Sequence, residues 1–259
     1  MNKDALYKYN NLLERLKKYK KVAVLLSGGL DSSFLLYSAL NALGREKVTA
    51  ITVIFPYTIQ KSVERAIKIA KDFKINHKII KDTSIMNDKD VANNTEKRCY
   101  KCKRKMIELA TGVTDYKLID GTNIDDMLEH RPGIKALNEF KIESPLAQEK
   151  IRKSEIKLLA KHFNLSFWNF KPNTCLLTRF PRNMKIKIED LRKIEKVEEI
   201  VTHNTGIEGI RARFHGDLIR IESKENVKVL IDKLLANRKC IEEIKKIGFK
   251  FVTIELGNV

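Results

Sequence analysis

The segment Ser27–Ser33, Ser-Gly-Gly-Leu-Asp-Ser-Ser, combines the residue types that bind a phosphate group. Adjacent glycines let the backbone turn sharply and bring its N–H groups close to an anion, and the serine hydroxyls can donate hydrogen bonds to phosphate oxygens. A carboxylate beside an anion site is favourable if it binds a Mg²⁺ ion that bridges the phosphates. An ordinary strand-to-helix turn with a capping Asp and Ser is the structural alternative. We predict a nucleotide phosphate site formed by Ser27, Gly28, Gly29, Asp31, Ser32 and Ser33, with Asp31 as the Mg²⁺ ligand.

Cys175 lies in a loop that contains proline and arginine, outside any periodic apolar segment. Lys171 and Arg179 flank it, and nearby cations lower the pKa of a thiol. A thiolate is the strongest nucleophile that a protein offers at neutral pH, so we predict a catalytic role for Cys175. Burial as a small hydrophobic residue is the alternative, and it is the fate that we predict for Cys240.

Cys99-x-x-Cys102 opens a predicted helix. A structural zinc site needs four ligands, and the sequence has no second cysteine pair or histidine pair. With Cys175 as a third ligand, the three thiolates would suit a 4Fe–4S cluster with one open iron. A reduced pair without a ligand and a transient disulfide are the alternatives.

Two further groups of charged residues are candidates for ligand binding. Asp125 and Asp126 follow a predicted strand and should lie at the carboxyl edge of the sheet, where open α/β folds bind ligands. We predict that Asp125 positions magnesium or substrate, and helix capping is the alternative. Arg211 and Arg213 are two residues apart on a predicted strand and face the same side, so they can bind one phosphate together. A solvent-exposed strand face is the alternative for this pair.

Strands and helices alternate along the first two thirds of the chain. We predict strands at 22–26, 48–55, 77–81 and 116–120, with helices at 5–19, from 34 to about 44, and at 63–73, 101–110 and 153–163. This alternation is typical of a parallel sheet with helices on both faces. After residue 171 we predict a helix at 188–202, strands at 210–214, 218–222 and 250–255, and helices at 227–237 and 240–247, which form a smaller α+β domain. We therefore expect two domains, 1–171 and 172–259.

The chain is strongly basic. Its 259 residues include 51 Lys and Arg against 33 Asp and Glu, a formal net charge of +18. Such a charge attracts anions, either a nucleic acid or a nucleotide-like substrate, and a solvated lysine-rich surface is the alternative. The N-terminus is polar and no apolar run is long enough to span a bilayer, so we expect a cytoplasmic protein with no membrane partner.

Ser-Gly-Gly-x-Asp-Ser is the hallmark of the PP-loop ATP pyrophosphatases, which cleave ATP to AMP and pyrophosphate. Further stretches match one family of that superfamily: Arg98–Lys103, Asp120–Asp126, Arg131–Gly133, Glu143–Leu146, Trp168–Pro172, Cys175–Leu176 with Arg179, and Ile210–Arg213. Through these stretches, which run along most of the chain, the sequence resembles the LarE family of ATP-dependent sulfur transferases. The resemblance implies an adenine nucleotide alpha hydrolase-like fold.

The resemblance also implies a reaction. ATP adenylates a carboxylate of a pyridinium dicarboxylate mononucleotide, and Cys175 attacks the acyl carbon. The Cβ–S bond then breaks and leaves dehydroalanine. By the same resemblance Asp31 and Asp125 assist catalysis, and Arg211, Arg213 and Glu199 bind the substrate phosphate. ATP and Mg²⁺ are the implied cofactors, the 4Fe–4S cluster on the three cysteines is a second sulfur source, and a homo-oligomer is expected.

Three other functions share these features. A PP-loop tRNA thiolation enzyme would use the same turn and cysteines and would benefit from the basic charge. A non-catalytic nucleotide sensor would use the turn alone. An amide-forming synthetase of the superfamily would leave the cysteines without a role.

Overall fold

The computed structural model describes residues 3–129, 131–171, 174–223 and 227–256. The chain forms two compact units. The first consists of Met1–Val91 and Lys97–Pro172, and the second consists of Ala92–Glu96 and Asn173–Val259. No pattern in the sequence indicated that the short segment Ala92–Glu96 belongs with the C-terminal part of the chain.

The first unit contains a four-stranded sheet with the order β3-β2-β1-β4. All three pairings are parallel, and Val22 lies opposite both Val48 and Lys117. The predicted parallel α/β fold is therefore confirmed. The strands are β1 (Val22–Leu25), β2 (Val48–Ile54), β3 (Asn76–Lys81) and β4 (Lys117–Ile119).

Helices precede, connect and follow these strands. The five longest were indicated by their apolar periodicity, whereas the others are too short to show a helical period. The helices are α1 (Lys3–Lys17), α2 (Leu30–Leu43), α3 (Gln60–Asp72), α4 (Lys89–Ala92), α5 (Arg98–Thr111), α6 (Ile124–Leu128), α7 (Gly133–Glu139), α8 (Pro145–Gln148) and α9 (Lys153–His162).

The two central strands are buried on both faces. Val24 and Ala50 belong to a core cluster that includes side chains of α1, α2, α3 and α9. Ala23 and Ile51 point to the opposite face, because side chains alternate along a strand, and they are fully buried as well. α5 contacts β2. This burial explains why β1 reads as an uninterrupted apolar run in the sequence.

The second unit contains a three-stranded sheet with the order β5-β6-β7. β5 (Arg211–His215) pairs antiparallel with β6 (Leu218–Glu222), and β6 pairs parallel with β7 (Phe251–Ile254). Its helices are α10 (Ile188–Thr205), α11 (Val227–Ala236) and α12 (Arg238–Lys246). Cys240 is fully buried, as predicted. In the described ranges, no helix is both long enough and apolar enough to cross a membrane.

Candidate active site

The glycine turn after β1 packs directly on α3. Gly28 has a φ of +74°. A Cβ atom on it would lie 2.1 Å from the carbonyl oxygen of Ser62 and 3.0 Å from the amide nitrogen of Ala66. Only glycine combines this backbone conformation with so close an approach. Gly29 has an ordinary φ of −87° and is the residue before α2, so the turn directs the N-terminus of α2 at the space above β1.

The serines of the turn have different tasks. Ser33 is fully buried, and its hydroxyl donates to the carbonyl oxygen of Gly29 at 2.6 Å. Ser27 and Ser32 lie with their Oγ atoms 3.0 Å apart and line the adjoining cavity. Ser33 therefore holds the turn. Ser32 also bonds within it, because its hydroxyl accepts from the Ser27 N–H at 3.2 Å and donates to the Gly29 carbonyl oxygen at 3.3 Å, while the Ser27 and Ser32 side chains both border the cavity.

A cavity of about 300 Å³ lies at the carboxyl ends of the strands of the first unit. Aliphatic side chains of β1, β2, α3 and α5 line part of it, and polar groups line the rest. This division suits a nucleotide, because a purine base needs an apolar surface and phosphates need donors and cations. The polar groups come from Ser27, Ser32, Asp31, Thr52, Thr58, Lys103, Asp120, Thr122 and Asp126.

Asp31 carries an unpaired oxygen at this cavity. Its Oδ1 is buried and has no hydrogen-bond partner among the described residues, and its Oδ2 lies 3.5 Å from Nζ of Lys153. Burial raises the pKa of Asp31, the Asp126 carboxylate adds to this, and Lys153 opposes it. A carboxylate oxygen without a donor, beside a turn that is predicted to bind phosphate, has the chemistry of a Mg²⁺ ligand.

Buried Asp120 and partly exposed Lys103 form an ion pair that lines the cavity. The Lys103 Nζ lies 2.8 Å from Asp120 Oδ2, and Ser144 Oγ donates to Asp120 Oδ1 at 2.6 Å. Burial alone would raise the pKa of Asp120, but Lys103 and the hydroxyl donors outweigh it and the pKa is lowered. Sequence reasoning missed both residues. The signal was present, since Asp120 directly follows a buried strand.

Gly121, the residue after Asp120, closely approaches the glycine turn (residues 27–33), which we call the phosphate turn. A Cβ atom on Gly121 would lie 2.8 Å from both Cα and N of Ser32. The loop after β4 and the first turn of α2 are thus packed backbone to backbone. This contact fixes the Asp120 side of the cavity relative to the turn.

Asp125 is placed as a helix cap. Its Oδ2 accepts from the backbone N–H of Lys153 at 2.9 Å, and its Oδ1 lies 3.0 Å from Nη1 of Arg152. Asp126 lines the cavity and pairs with Arg131 at 2.8 Å. The structural alternative therefore describes Asp125 well, and its catalytic role stays a prediction.

Cys99 and Cys102 are the second and fifth residues of α5, so the pair opens this helix as predicted. Cys99 is exposed, and neither cysteine forms a disulfide. Burial raises the pKa of Cys102 to about 11, so its thiol is protonated at neutral pH. Across the described ranges, no group of three or more His, Cys, Asp or Glu side chains is arranged to hold a metal ion. The cluster on Cys99, Cys102 and Cys175 stays a prediction.

The predicted nucleophile lies in the second unit, at the start of what we call the Cys175 loop (residues 174–186). Cys175 is exposed and not in a disulfide. It precedes a short 3₁₀ turn, Leu176–Arg179. Arg179 donates from Nη1 to Thr174 Oγ1 at 2.6 Å and to Thr178 Oγ1 at 2.9 Å. Its guanidinium group therefore bonds to residues on both sides of Cys175 in the sequence.

Arg211 and Arg213 lie on β5 and complete a cluster of three guanidinium groups with Arg179. Arg213 pairs with Glu222 at 2.8 Å and also donates to the carbonyl oxygen of Thr178. Burial lowers the pKa of Arg211, and the neighbouring charges of Arg179 and Arg213 lower it further. The positive charge at Arg211 is therefore not fully compensated by the nearby carboxylates, which favours binding of an anion there.

Glu198 is the second carboxylate at this cluster, besides Glu222. Its Oε1 lies 2.6 Å from Nε of Arg179 and accepts from the backbone N–H of Ala212 at 3.0 Å. Glu199 is exposed and pairs with Lys196 at 3.4 Å. Neighbouring residues of a helix point about 100° apart, so the predicted orienting carboxylate has its side chain on a different face of α10.

Comparisons with known proteins extend over both units. A sequence profile of the NAD synthase family matches residues 7–129. The chain is 39% identical over 255 residues to an uncharacterised protein of Methanocaldococcus jannaschii, covering 95% of this chain and 93% of that protein. It is 30% identical over 254 residues to an uncharacterised protein of Synechocystis, covering 96% and 93%.

A relative with an assigned reaction matches over the same length. The pyridinium-3,5-bisthiocarboxylic acid mononucleotide synthase of Lactiplantibacillus plantarum is 28% identical over 253 residues, covering 95% of this chain and 90% of that enzyme. The phosphate turn with its cavity and the thiol with its arginine cluster both fall inside the matched length. The chain therefore belongs to the LarE family of PP-loop enzymes.

Proposed function

We propose that this chain is an ATP-dependent sulfur transferase that activates a carboxylate of a small phosphorylated substrate and replaces one of its oxygens with sulfur through Cys175. The relative's name supports this proposal, because a bisthiocarboxylic acid mononucleotide contains thiocarboxylates and a phosphate. We further propose that residues 1–171 activate the carboxylate and that residues 172–259 supply the thiol and bind the substrate phosphate.

Activation would take place at the cavity of the first unit. The serine hydroxyls of the turn and the α2 N-terminus would bind phosphates of ATP, and Lys103 and Lys153 would offset their charge. Asp31 would hold Mg²⁺ through its unpaired Oδ1. The ion would neutralise phosphate charge and favour departure of pyrophosphate. The substrate carboxylate attacks the α-phosphorus, pyrophosphate leaves, and an acyl adenylate results.

The thiol step would follow at Cys175. The Cys175 thiolate attacks the acyl carbon, AMP leaves with the electron pair of the C–O bond, and a thioester forms. A base then removes the Cα proton of Cys175, and the Cβ–S bond breaks. The product leaves as a thiocarboxylate, and residue 175 remains as dehydroalanine. Atoms and charge balance without an external oxidant or reductant.

One observation supports this assignment most strongly: an exposed thiol and an incompletely neutralised arginine cluster share the second unit. Arg179 bonds to Thr174 and Thr178, one on each side of Cys175 in the sequence, and positive charge stabilises a thiolate. The same charge suits the substrate phosphate, for which we propose Arg211 and Arg213 as ligands. Glu199, with its side chain engaged by Lys196, is a weaker candidate than Glu198 for orienting these arginines.

The test compares Cys175→Ser with the wild type, using ATP, Mg²⁺ and a pyridine dicarboxylate mononucleotide. We expect substrate-dependent pyrophosphate release in both proteins and a thiocarboxylate product only in the wild type. A nucleotide sensor would bind ATP and release no pyrophosphate in either protein. That result would remove the proposed function.

A 4Fe–4S cluster on Cys99, Cys102 and Cys175 is the alternative sulfur source. The first unit supplies only two thiols, one of them protonated because of burial, so a cluster needs Cys175 as its third ligand. Cys99→Ser separates the two sources. Iron content and visible absorbance after anaerobic reconstitution fall in this variant if a cluster exists. A single turnover of iron-free protein survives the change if Cys175 itself donates the sulfur.

Thiolation of tRNA is a second candidate function, favoured by a lysine cluster on the first unit. Parallel strands begin at one edge of a sheet, so residues that precede β1, β2 and β4 converge there. Lys18, Lys20, Lys21, Lys47 and Lys117 surround a concave surface at this edge. Salt-dependent tRNA binding together with a thiouridine product would establish this function in place of the first. Binding without thiouridine would leave the small-molecule reaction as the proposal.

A further inference from the structure

The segment Ala92–Glu96, which we call the inserted segment, belongs to the second unit although the residues on either side belong to the first. It is bonded to the Cys175 loop. The carbonyl oxygen of Ala92 accepts from the N–H of Ile186 at 2.7 Å, and that of Asn94 accepts from the N–H of Asn183 at 3.3 Å. These bonds tie the far end of the loop to a part of the chain about ninety residues earlier.

Asn94 makes the central contacts. Its side chain is fully buried, and its amide nitrogen faces three backbone carbonyl oxygens of the loop. They belong to Leu177 at 3.2 Å, Phe180 at 3.3 Å and Pro181 at 2.8 Å. All three are within six residues of Cys175. A single amide thus satisfies the carbonyls of a turn that has few repeating backbone bonds of its own.

The backbone at Asn94 shows that this placement is specific. Its φ is +54°, in the left-handed region that asparagine and glycine tolerate better than other residues. The conformation directs the side chain into the loop while its carbonyl group accepts from Asn183. Glycine would permit the backbone and lose the amide, whereas most other residues would strain the backbone as well.

In the sequence, the inserted segment is followed directly by α5, the helix that contributes to the cavity of the first unit. Four residues after Asn94, α5 begins at Arg98, and it carries Lys103, which lines the cavity and pairs with Asp120. Residues 94–103 therefore contain both Asn94, which bonds to the Cys175 loop, and Lys103, which lines the cavity.

We propose that Asn94 is a positioning residue for the thiol step: it fixes the shape of the Cys175 loop, and so the direction in which Cys175 is presented. It acts through the three carbonyl groups and does not touch the reacting atoms. Adenylation at the first unit does not depend on it. The catalytic part of this proposal rests on the proposed function, whereas the effect on loop order does not.

The test uses Asn94→Gly in the full-length chain, with Asn164→Gly as the matched control. Asn164 has a similar φ of +53° and is exposed, in the first unit. We expect amide hydrogen exchange in residues 176–186 to accelerate by about tenfold or more in Asn94→Gly only. Sulfur transfer should fall about ten- to a hundredfold through misorientation of the thiol. Carboxylate-dependent pyrophosphate release should stay within about twofold of the wild type.

Asn94→Asp gives a second variant if Asn94→Gly is poorly folded, because it keeps the size of the side chain and replaces the donor with an oxygen that faces three carbonyl oxygens. If amide hydrogen exchange in the Cys175 loop were unchanged in these variants, the claim that Asn94 orders this loop would be wrong. Faster exchange with undiminished sulfur transfer, or an equal loss of adenylation and sulfur transfer, would overturn the positioning role. If the wild type released no pyrophosphate with any carboxylate, the proposed function would fail, and the exchange measurement would still decide whether Asn94 orders the loop.

Discussion

Replacing Gly28 with alanine tests whether the phosphate turn depends on its contact with α3. Alanine at a φ of +74° costs about 1–2 kcal/mol relative to glycine. Its Cβ would also lie 2.1 Å from the Ser62 carbonyl oxygen. That atom belongs to backbone and cannot rotate away, and such overpacking costs about 1–3 kcal/mol. We therefore expect Gly28→Ala to lower the free energy of unfolding of the first unit by about 2–5 kcal/mol.

Gly29→Ala is the matched control in the same turn. Gly29 has a φ of −87°, and its Cβ would meet only the Ser27 hydroxyl at 3.4 Å. We expect its stability to stay within about 1 kcal/mol of the wild type. Gly29 lines the cavity, so its added methyl group should weaken ATP binding instead.

The assay is urea unfolding followed by fluorescence of Trp168, the only tryptophan of the chain, which packs against the core of the first unit. With a slope near 2 kcal/mol per molar urea, Gly28→Ala should lower the midpoint by about 1–2.5 M. Equal midpoints for Gly28→Ala and Gly29→Ala would refute the close packing of the turn on α3.

Four further predictions concern individual side chains. Asp31→Asn should abolish pyrophosphate release. It should leave the ligand-free protein at least as stable as the wild type in thermal unfolding at pH 7. Burial raises the pKa of Asp31, so the charged carboxylate opposes folding above that pKa, and asparagine removes the charge. For the same reason, Mg²⁺-dependent ATP affinity in the wild type should weaken as the pH falls through that raised pKa, and a pH-independent affinity would contradict this. Iodoacetamide at pH 8 should alkylate exposed Cys99 and spare Cys102 until the pH approaches about 11. Peptide mass spectrometry measures both alkylation rates. Equal rates of alkylation at pH 8 would show that burial does not raise the pKa of Cys102. Arg211→Ala should raise the KM for a phosphorylated substrate about ten- to a hundredfold and leave that of its dephosphorylated analogue unchanged, whereas equal effects on both would remove the phosphate role.

The fold of the first unit could be predicted because its two central strands are buried on both faces. Val22–Leu25 reads as a continuous apolar run followed by two glycines, and the structure confirms it as a central parallel strand. The strand order and the place of Ala92–Glu96 could not be predicted. Both depend on pairings between distant residues, such as Asn94 with Pro181, which no local period encodes.

The glycine turn beside the cavity could be predicted because its residues are contiguous in sequence, and its binding of a nucleotide stays a prediction. Lys103 and Asp120 were missed, since they come from separate elements and meet only in the folded sheet. Glu198 was missed for a different reason. The periodicity of α10 indicates its buried face but not which of Glu198 and Glu199 faces β5. Only the folded structure shows that Glu198 does, because it bonds to Arg179 and to the backbone N–H of Ala212.

The central claim is that sulfur enters an activated carboxylate at Cys175. Mass spectrometry of the peptide that contains residue 175, after one turnover with ATP and substrate, tests it most directly. We predict dehydroalanine in place of Cys175, with one thiocarboxylate released per dehydroalanine. Chains stopped before the Cβ–S bond breaks should carry a thioester adduct on Cys175 and no released product. A thiocarboxylate product formed by Cys175→Ala, or formed while Cys175 stays unmodified in iron-free protein, would contradict the account.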